Sequence, residues 1–184
     1  MIGDSKTDAG WPNVWPANLV ASLNATTPYT WIGANVGHGG TSVASWSVPG
    51  AVASYCSGPP QDYVIIDLGV NDFGSLPSEA TFEAQYWYIL DQVRLISPYA
   101  LIYVCKPWKA GSDADADTVA GWIDTIVAGR SFARPGWDER VWVKGSDNGA
   151  TMTVDGIHFC PGTTGGLTPG EIEAAIQGQT ILGY

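Results

Sequence analysis

Tyr63-Val64-Ile65-Ile66-Asp67-Leu68 runs directly into Gly69-Val70-Asn71-Asp72. It is an apolar stretch of strand length that stops at a glycine turn. Beyond the turn the periodicity changes, with Phe82, Tyr86, Ile89, Leu90, Val93 and Ile96 falling on one helical face. A buried strand followed by an amphipathic helix is the repeating unit of a parallel sheet covered by helices on both sides. The unit recurs in both directions from this stretch. Further strands are expected at Thr30 to Val36, Ala100 to Cys105 and Arg140 to Val143. A second amphipathic helix carries Val119, Trp122, Ile123, Ile126 and Val127, and another begins near Pro16 and buries Leu19, Val20 and Leu23. Thr41 to Cys56 reads as partly helical, interrupted at Pro49-Gly50. The last helix opens with Thr168-Pro169-Gly170-Glu171, a capping box with proline in the first turn, and continues through Ile172, Ala175 and Ile176. No repeat or linker divides the chain, so residues 1–184 are expected to form one domain.

Composition narrows the classes of partner. The 184 residues carry 18 Asp and Glu against 8 Lys and Arg, a formal charge of -10, which repels phosphate backbones and anionic membrane surfaces. Nucleic acid is therefore not an expected partner, and neither is a membrane. Hydrophobic residues make up 45% and charged residues only 14%, the balance of a compact secreted-type domain rather than of a disordered chain. Residues 1–20 show no basic segment followed by a long apolar run, so no signal peptide or anchor is visible there. The three cysteines, Cys56, Cys105 and Cys160, lack Cys-x-x-Cys spacing, which argues against a zinc site.

In an open parallel sheet, ligands bind beyond the carboxyl ends of the strands. Four short blocks fall after expected strands or in late loops: Gly3-Asp4-Ser5, Asn35-Val36-Gly37-His38-Gly39-Gly40, Gly69-Val70-Asn71-Asp72 and Asp155-Gly156-Ile157-His158. Together they hold a hydroxyl, an imidazole with a carboxylate three residues before it, and several backbone and amide donors. These are the groups that acyl transfer needs. Only two histidines are present, and His158 alone has a carboxylate close enough in sequence to fix its tautomer. His38 reads as a residue at the substrate edge.

In their order and spacing the four blocks resemble the SGNH hydrolases, a branch of the GDSL esterases and lipases, over about the whole chain. The Gly-x-Ser-x-Gly elbow of the α/β-hydrolases is absent. The resemblance implies a flavodoxin-like three-layer α/β/α sandwich with a central parallel sheet of about five strands. Its first strand would be very short, since only Met1 and Ile2 precede Gly3. It implies a catalytic Ser5, His158 and Asp155, and an oxyanion hole formed by the N–H of Ser5, the N–H of Gly40 and the side chain of Asn71. Gly39 takes the glycine role if the loop register differs by one. Asp72 braces its loop, and no metal or cofactor takes part.

The activity implied is that of a serine esterase working through an acyl-enzyme on short acyl esters, with a carbohydrate or small-molecule ester as the partner. Nine tryptophans, among them Trp11, Trp46, Trp108 and Trp137 in expected loops, suggest stacking on sugar rings. Trp108 is the aromatic candidate for substrate contact. The rivals are a lysophospholipase or thioesterase acting on longer chains, and a carbohydrate-binding module without activity. Lys6 is expected to be solvated, and Asp67, inside an apolar strand, needs a partner that the sequence does not name. Cys105 and Cys160 are expected at the same edge of the sheet, where a disulfide or buried thiols would each fit.

Overall fold

The computed structural model describes residues 1–10, 15–145, 147–160 and 168–183. Four parallel strands, β1 (Ile2–Gly3), β2 (Tyr63–Asp67), β3 (Leu101–Lys106) and β4 (Ala133–Asp138), lie side by side in that order. The register pairs Ile2 with Ile66, Gly3 with Asp67, and Ile65 with Tyr103. Alternation along the strands then sorts the side chains to two faces. Val64, Ile66, Ile102 and Val104 meet α2 (Val43–Trp46), α3 (Ala51–Tyr55), α4 (Glu79–Ile96) and α5 (Asp113–Ala128) in one core. Ile65, Tyr103 and Cys105 face the other core, built with α1 (Trp15–Thr26) and α7 (Pro169–Leu182). Asp67 shares the parity of Ile65 and so points at this second layer.

Each helix has a local cause. Ser78 caps α4 by accepting the N–H of Thr81, and Ser42 and Ser45 form a capping box on α2. Gly50, at φ 85°, separates α2 from α3 at the expected interruption. The capping box of Thr168 and Glu171 opens α7 with Pro169 in its first turn. The face that α7 buries completely, however, carries Glu173, Ala174, Gln177 and Gly178, while Ile172, Ala175 and Ile176 are only partly covered.

Two strand expectations are corrected. Thr30 to Val36 forms no regular strand. Its end runs beside β1 instead, with Met1 N–H donating to Ala34 O, Val36 N–H to Met1 O and His38 N–H to Gly3 O. This segment therefore stands where the fifth strand was expected. Arg140 to Val143 belongs to a single helical turn, α6 (Glu139–Trp142), capped by Asp138, whose carboxylate accepts the N–H of Arg140. The strand lies just before it, in a stretch disguised by Pro135 and Gly136. At the sheet edge a missing N–H costs nothing. A Cβ on Gly136 would lie 3.0 Å from the carbonyl carbon of Val104, so glycine lets β4 approach β3. No described helix is long and apolar enough to cross a membrane.

Candidate active site

β1 delivers the chain to a tight turn in which Asp4 O accepts the N–H groups of Thr7 and Asp8. The turn lies against β2 at Gly3, where a Cβ would sit 2.2 Å from Thr7 Oγ1 and 2.8 Å from Asp67 O, so glycine serves close approach. Ser5, 8% exposed, projects from this turn. Its Oγ lies 2.8 Å from Nε2 of His158, although 153 residues separate the two in sequence.

The imidazole is held from its other side. His158 Nδ1 is 2.7 Å from Asp155 Oδ2, while Asp155 Oδ1 accepts the backbone N–H of Ile157 at 3.0 Å and of His158 at 2.8 Å. The loop is closed by Val154 N–H to His158 O and by an antiparallel bridge between Thr153 and Phe159. Partial burial raises the Asp155 pKa, but the donors from His158 and Ile157 outweigh it and the carboxyl lies below its ordinary range. Asp155 is thus an anion that orients the ring. With Nδ1 donating to it, Nε2 is the nitrogen able to accept the Ser5 proton.

The glycine loop is fastened to the same turn. Asn35 donates to Thr7 O at 2.6 Å and accepts the N–H of Gly37, and Asp8 Oδ2 accepts the N–H of Gly39 at 2.8 Å. A Cβ on Gly39 would be 3.8 Å from Ser5 Cβ, so the loop abuts the hydroxyl. Because Asp8 engages Gly39, the neighbouring Gly40 is the glycine whose N–H has no hydrogen bond among the described residues; the same holds for the N–H of Ser5. Asn71 donates one amide hydrogen to Thr41 O at 3.0 Å, which orients the group and leaves its second hydrogen available. Asp72 accepts the N–H of Val43 at 3.1 Å and so ties the β2 turn to α2. Asp8 and Asn35 escape a sequence reading as site residues, since neither has a partner nearby that marks a role. The one available signal is that Asn35 begins the glycine block.

The aromatic residues are arranged differently from the sequence expectation. Trp46, Trp108 and Trp137 are buried, at 0%, 1% and 1% exposure, and Trp11 lies outside the described residues. Trp108 offers no open face for stacking: its Nε1 donates to Asp113 and its ring underlies the 149–160 segment. The exposed His38 does have an aromatic neighbour, Tyr55, 36% exposed, with ring centroids 4.2 Å apart, and Trp46 supports Tyr55 at 4.8 Å. Cys105 and Cys160 are not joined. Cys105 Sγ accepts from Gln177 on α7, whereas Cys160 Sγ donates to Thr151 O.

Directly beneath Ser5 the character of the protein changes. Lys6 is 2% exposed, so the expected solvated lysine is corrected, and it supplies the partner that Asp67 required. Its ammonium is 2.5 Å from Glu139 Oε2 and 3.9 Å from Asp67 Oδ1. Asp67, Glu139 and Glu173 bring carboxylate oxygens within 4.8 Å of one another. That is close enough for a shared cation, and the Lys6 ammonium stands in that place.

Comparison with known proteins bears on this arrangement at two levels. No curated protein sequence matches the chain. Among solved structures, an acetyl esterase mutant with an acetate ion matches at 18% identity and a TM-score of 0.68, over 100% of this chain and 95% of that one. A carbohydrate esterase family 3 protein from Talaromyces cellulolyticus matches at 19% identity and a TM-score of 0.68, with the same coverages. A putative platelet activating factor from Streptococcus pneumonia matches at 14% identity and a TM-score of 0.72, over 100% of this chain and 82% of that one. At these identities the likeness is one of fold. The family model for the GDSL-like lipase/acylhydrolase family matches residues 1–143, which include Ser5, Gly40 and Asn71 and stop short of Asp155 and His158. The chain belongs to the GDSL-like lipase/acylhydrolase family and is a carboxylic ester hydrolase.

Proposed function

We propose that the protein is a serine esterase that removes short acyl groups, acetyl first among them, from a carbohydrate or another small ester. We take residues 1–184 as one catalytic domain, since nucleophile and base come from opposite ends of it. The observation that carries the reading is the unbroken chain of hydrogen bonds from Ser5 Oγ through the His158 ring to Asp155, at 2.8 and 2.7 Å.

The steps follow from that chain. Ser5 Oγ attacks the ester carbonyl while His158 Nε2 takes its proton, and Asp155 stabilises the imidazolium so formed. Negative charge develops on the carbonyl oxygen. The N–H of Ser5, the N–H of Gly40 and the free hydrogen of Asn71 are the donors that meet it. His158 returns the proton to the leaving alkoxide, and the acyl group remains on Ser5 Oγ. Water, deprotonated by the same imidazole, then releases the acid and restores the hydroxyl.

The preference for acetyl draws on the acetyl esterase and the carbohydrate esterase whose folds the chain shares. His38 and Tyr55, whose adjacent rings are tilted by 39° beside the glycine loop, are the residues suited to a sugar ring. Ser5→Ala is expected to abolish turnover of p-nitrophenyl acetate and labelling by a fluorophosphonate while leaving the circular dichroism spectrum unchanged. Retained turnover in that variant overturns the reading. An octanoyl ester processed faster than the acetyl ester by the wild type transfers it to the longer-chain rival.

A further inference from the structure

The cluster beneath Ser5 plays no part in the bond changes just described, yet it joins the two halves of the proposed site. Glu139 Oε2 accepts two donors at once, the Lys6 ammonium at 2.5 Å and the backbone N–H of Trp108 at 2.6 Å. Lys6 follows Ser5 in the chain, so one of these bonds holds the turn that carries the nucleophile. Trp108 lies in the loop after β3, and that loop forms the floor of the segment that carries His158.

Two glycines make that floor contact close. A Cβ on Gly149 would lie 2.6 Å from the Trp108 ring, and one on Gly156 would lie 2.6 Å from Ala110 Cβ. Both have positive φ, 78° and 84°, so a side chain is disfavoured there by backbone as well as by space. Ala110 N–H also donates to Gly156 O at 2.9 Å, in the turn between Asp155 and His158. From Gly149 O the chain of bonds passes to Thr153, whose Oγ1 accepts the N–H of Gly156.

We infer that Lys6 and Glu139 are positioning residues, a buried strap that fixes the Ser5 turn relative to the His158 loop by way of Trp108. This rests on the reading of Ser5 and His158 as nucleophile and base. The bonds explain why a lysine, costly to bury, occupies the position after Ser5: its charge is met by the carboxyls of Asp67, Glu139 and Asp4, all fully buried around it. They also explain how residues 153 apart keep a hydrogen bond of 2.8 Å without any strand pairing between their segments. A displacement of about 1 Å between reacting groups costs on the order of a hundredfold in rate.

The test separates this strap from mere stability. Glu139→Gln keeps an oxygen for both donors, whereas Lys6→Met combined with Glu139→Leu removes the strap and leaves neither of its two charges behind alone. Active sites are titrated with a fluorophosphonate, and kcat and KM for p-nitrophenyl acetate are measured per titrated site. The double variant is expected to lose about ten- to a hundredfold in kcat with KM within about twofold, and Glu139→Gln to stay within about threefold of the wild type. Lys6→Met alone, which frees only the Ser5 end, gives the same loss if the double variant does not fold. A kcat per site equal to the wild type's in the strapless variants overturns the inference, because a purely structural role changes the number of sites and not their rate. A Ser5→Ala variant labelled as fully as the wild type overturns the functional reading instead.

Discussion

Asp155 and Glu173 are both acids in the last part of the chain, and the fold treats them in opposite ways. The Asp155 side chain is 46% exposed, yet three donors converge on it and hold its pKa down. Glu173 is 0% exposed, has the Gln177 amide as its one donor among the described residues, and burial drives its pKa well above the ordinary value. For Asp155 the donors outweigh partial burial, whereas for Glu173 burial outweighs what opposes it. At neutral pH one group is an anion aimed at an imidazole. The other is pushed toward the neutral acid, in a cluster whose remaining carboxyls are pushed up as well, Asp4 to about 7 and Glu139 to about 8, both by burial.

The sharpest way to break this comparison is to remove the charge of Asp155 and keep its shape. Asp155→Asn retains an oxygen for the N–H groups of Ile157 and His158, so the loop should stand. It presents either a neutral acceptor or an amide donor to Nδ1, however, and the imidazolium loses its counter-charge. The expected loss in kcat for p-nitrophenyl acetate is on the order of ten thousandfold, with the melting temperature nearly unchanged. A loss below about tenfold would mean that Asp155 only closes its loop, and the contrast with Glu173 would lose its catalytic meaning.

Asn71→Ala probes the donors on the same exposed side. Asn71 is bonded once, to Thr41 O, so its removal costs a loop contact and one oxyanion donor. About a hundredfold to a thousandfold in kcat is expected, with little change in KM. An equal fall in thermal stability and no fall in kcat per titrated site would reduce Asn71 to a turn residue.

The two acids also differ in how far they could be read beforehand. Asp155 was legible because a carboxylate three residues before a histidine can reach its ring within one turn, a relation that needs no tertiary structure. The strand at 63–67, the helices at 79–96 and 113–128 and the capping box of α7 were legible for the same reason: each is written in a local period or cap. The buried cluster is assembled from the turn after β1, from β2, α6 and α7, and nothing near Lys6 announces that Glu139 will meet it. A lysine beside a reactive serine therefore read as solvated. β4 was missed because Pro135 and Gly136 look like loop residues until the strand is known to lie at an edge. On α7 the apolar positions Ile172, Ala175 and Ile176 suggested the buried face, while the sheet layer beneath took Glu173, which joins the carboxyl cluster, and Gln177, which donates to Cys105. Trp108 was misjudged likewise, because a tryptophan in a loop looks exposed until a second loop, the one bearing His158, is laid over it.

The smallest expected effect is one of stability and tests the buried side directly. The pKa of Glu173 is raised, chiefly by burial and then by the charges of Asp67 and Glu139, with Lys6 and the Gln177 amide opposing. Between the ordinary glutamate value and that raised value the folded protein keeps a proton that the unfolded chain has released. Stability is therefore complete at low pH and declines as pH rises through this window, by about 1.4 kcal/mol per pH unit for one proton. Asp155 has the reverse sign: its contribution is present above the ordinary aspartate value and fades as pH falls through its depressed one. Glu173→Gln mimics the neutral acid without carrying its proton. From pH 5 to 7 the wild type should lose melting temperature relative to the variant by roughly 5 °C or more, with the two close together near pH 4. Parallel melting curves across this range would mean that Glu173 is ionised in the fold, with Lys6 serving as its counter-ion and not chiefly that of Glu139.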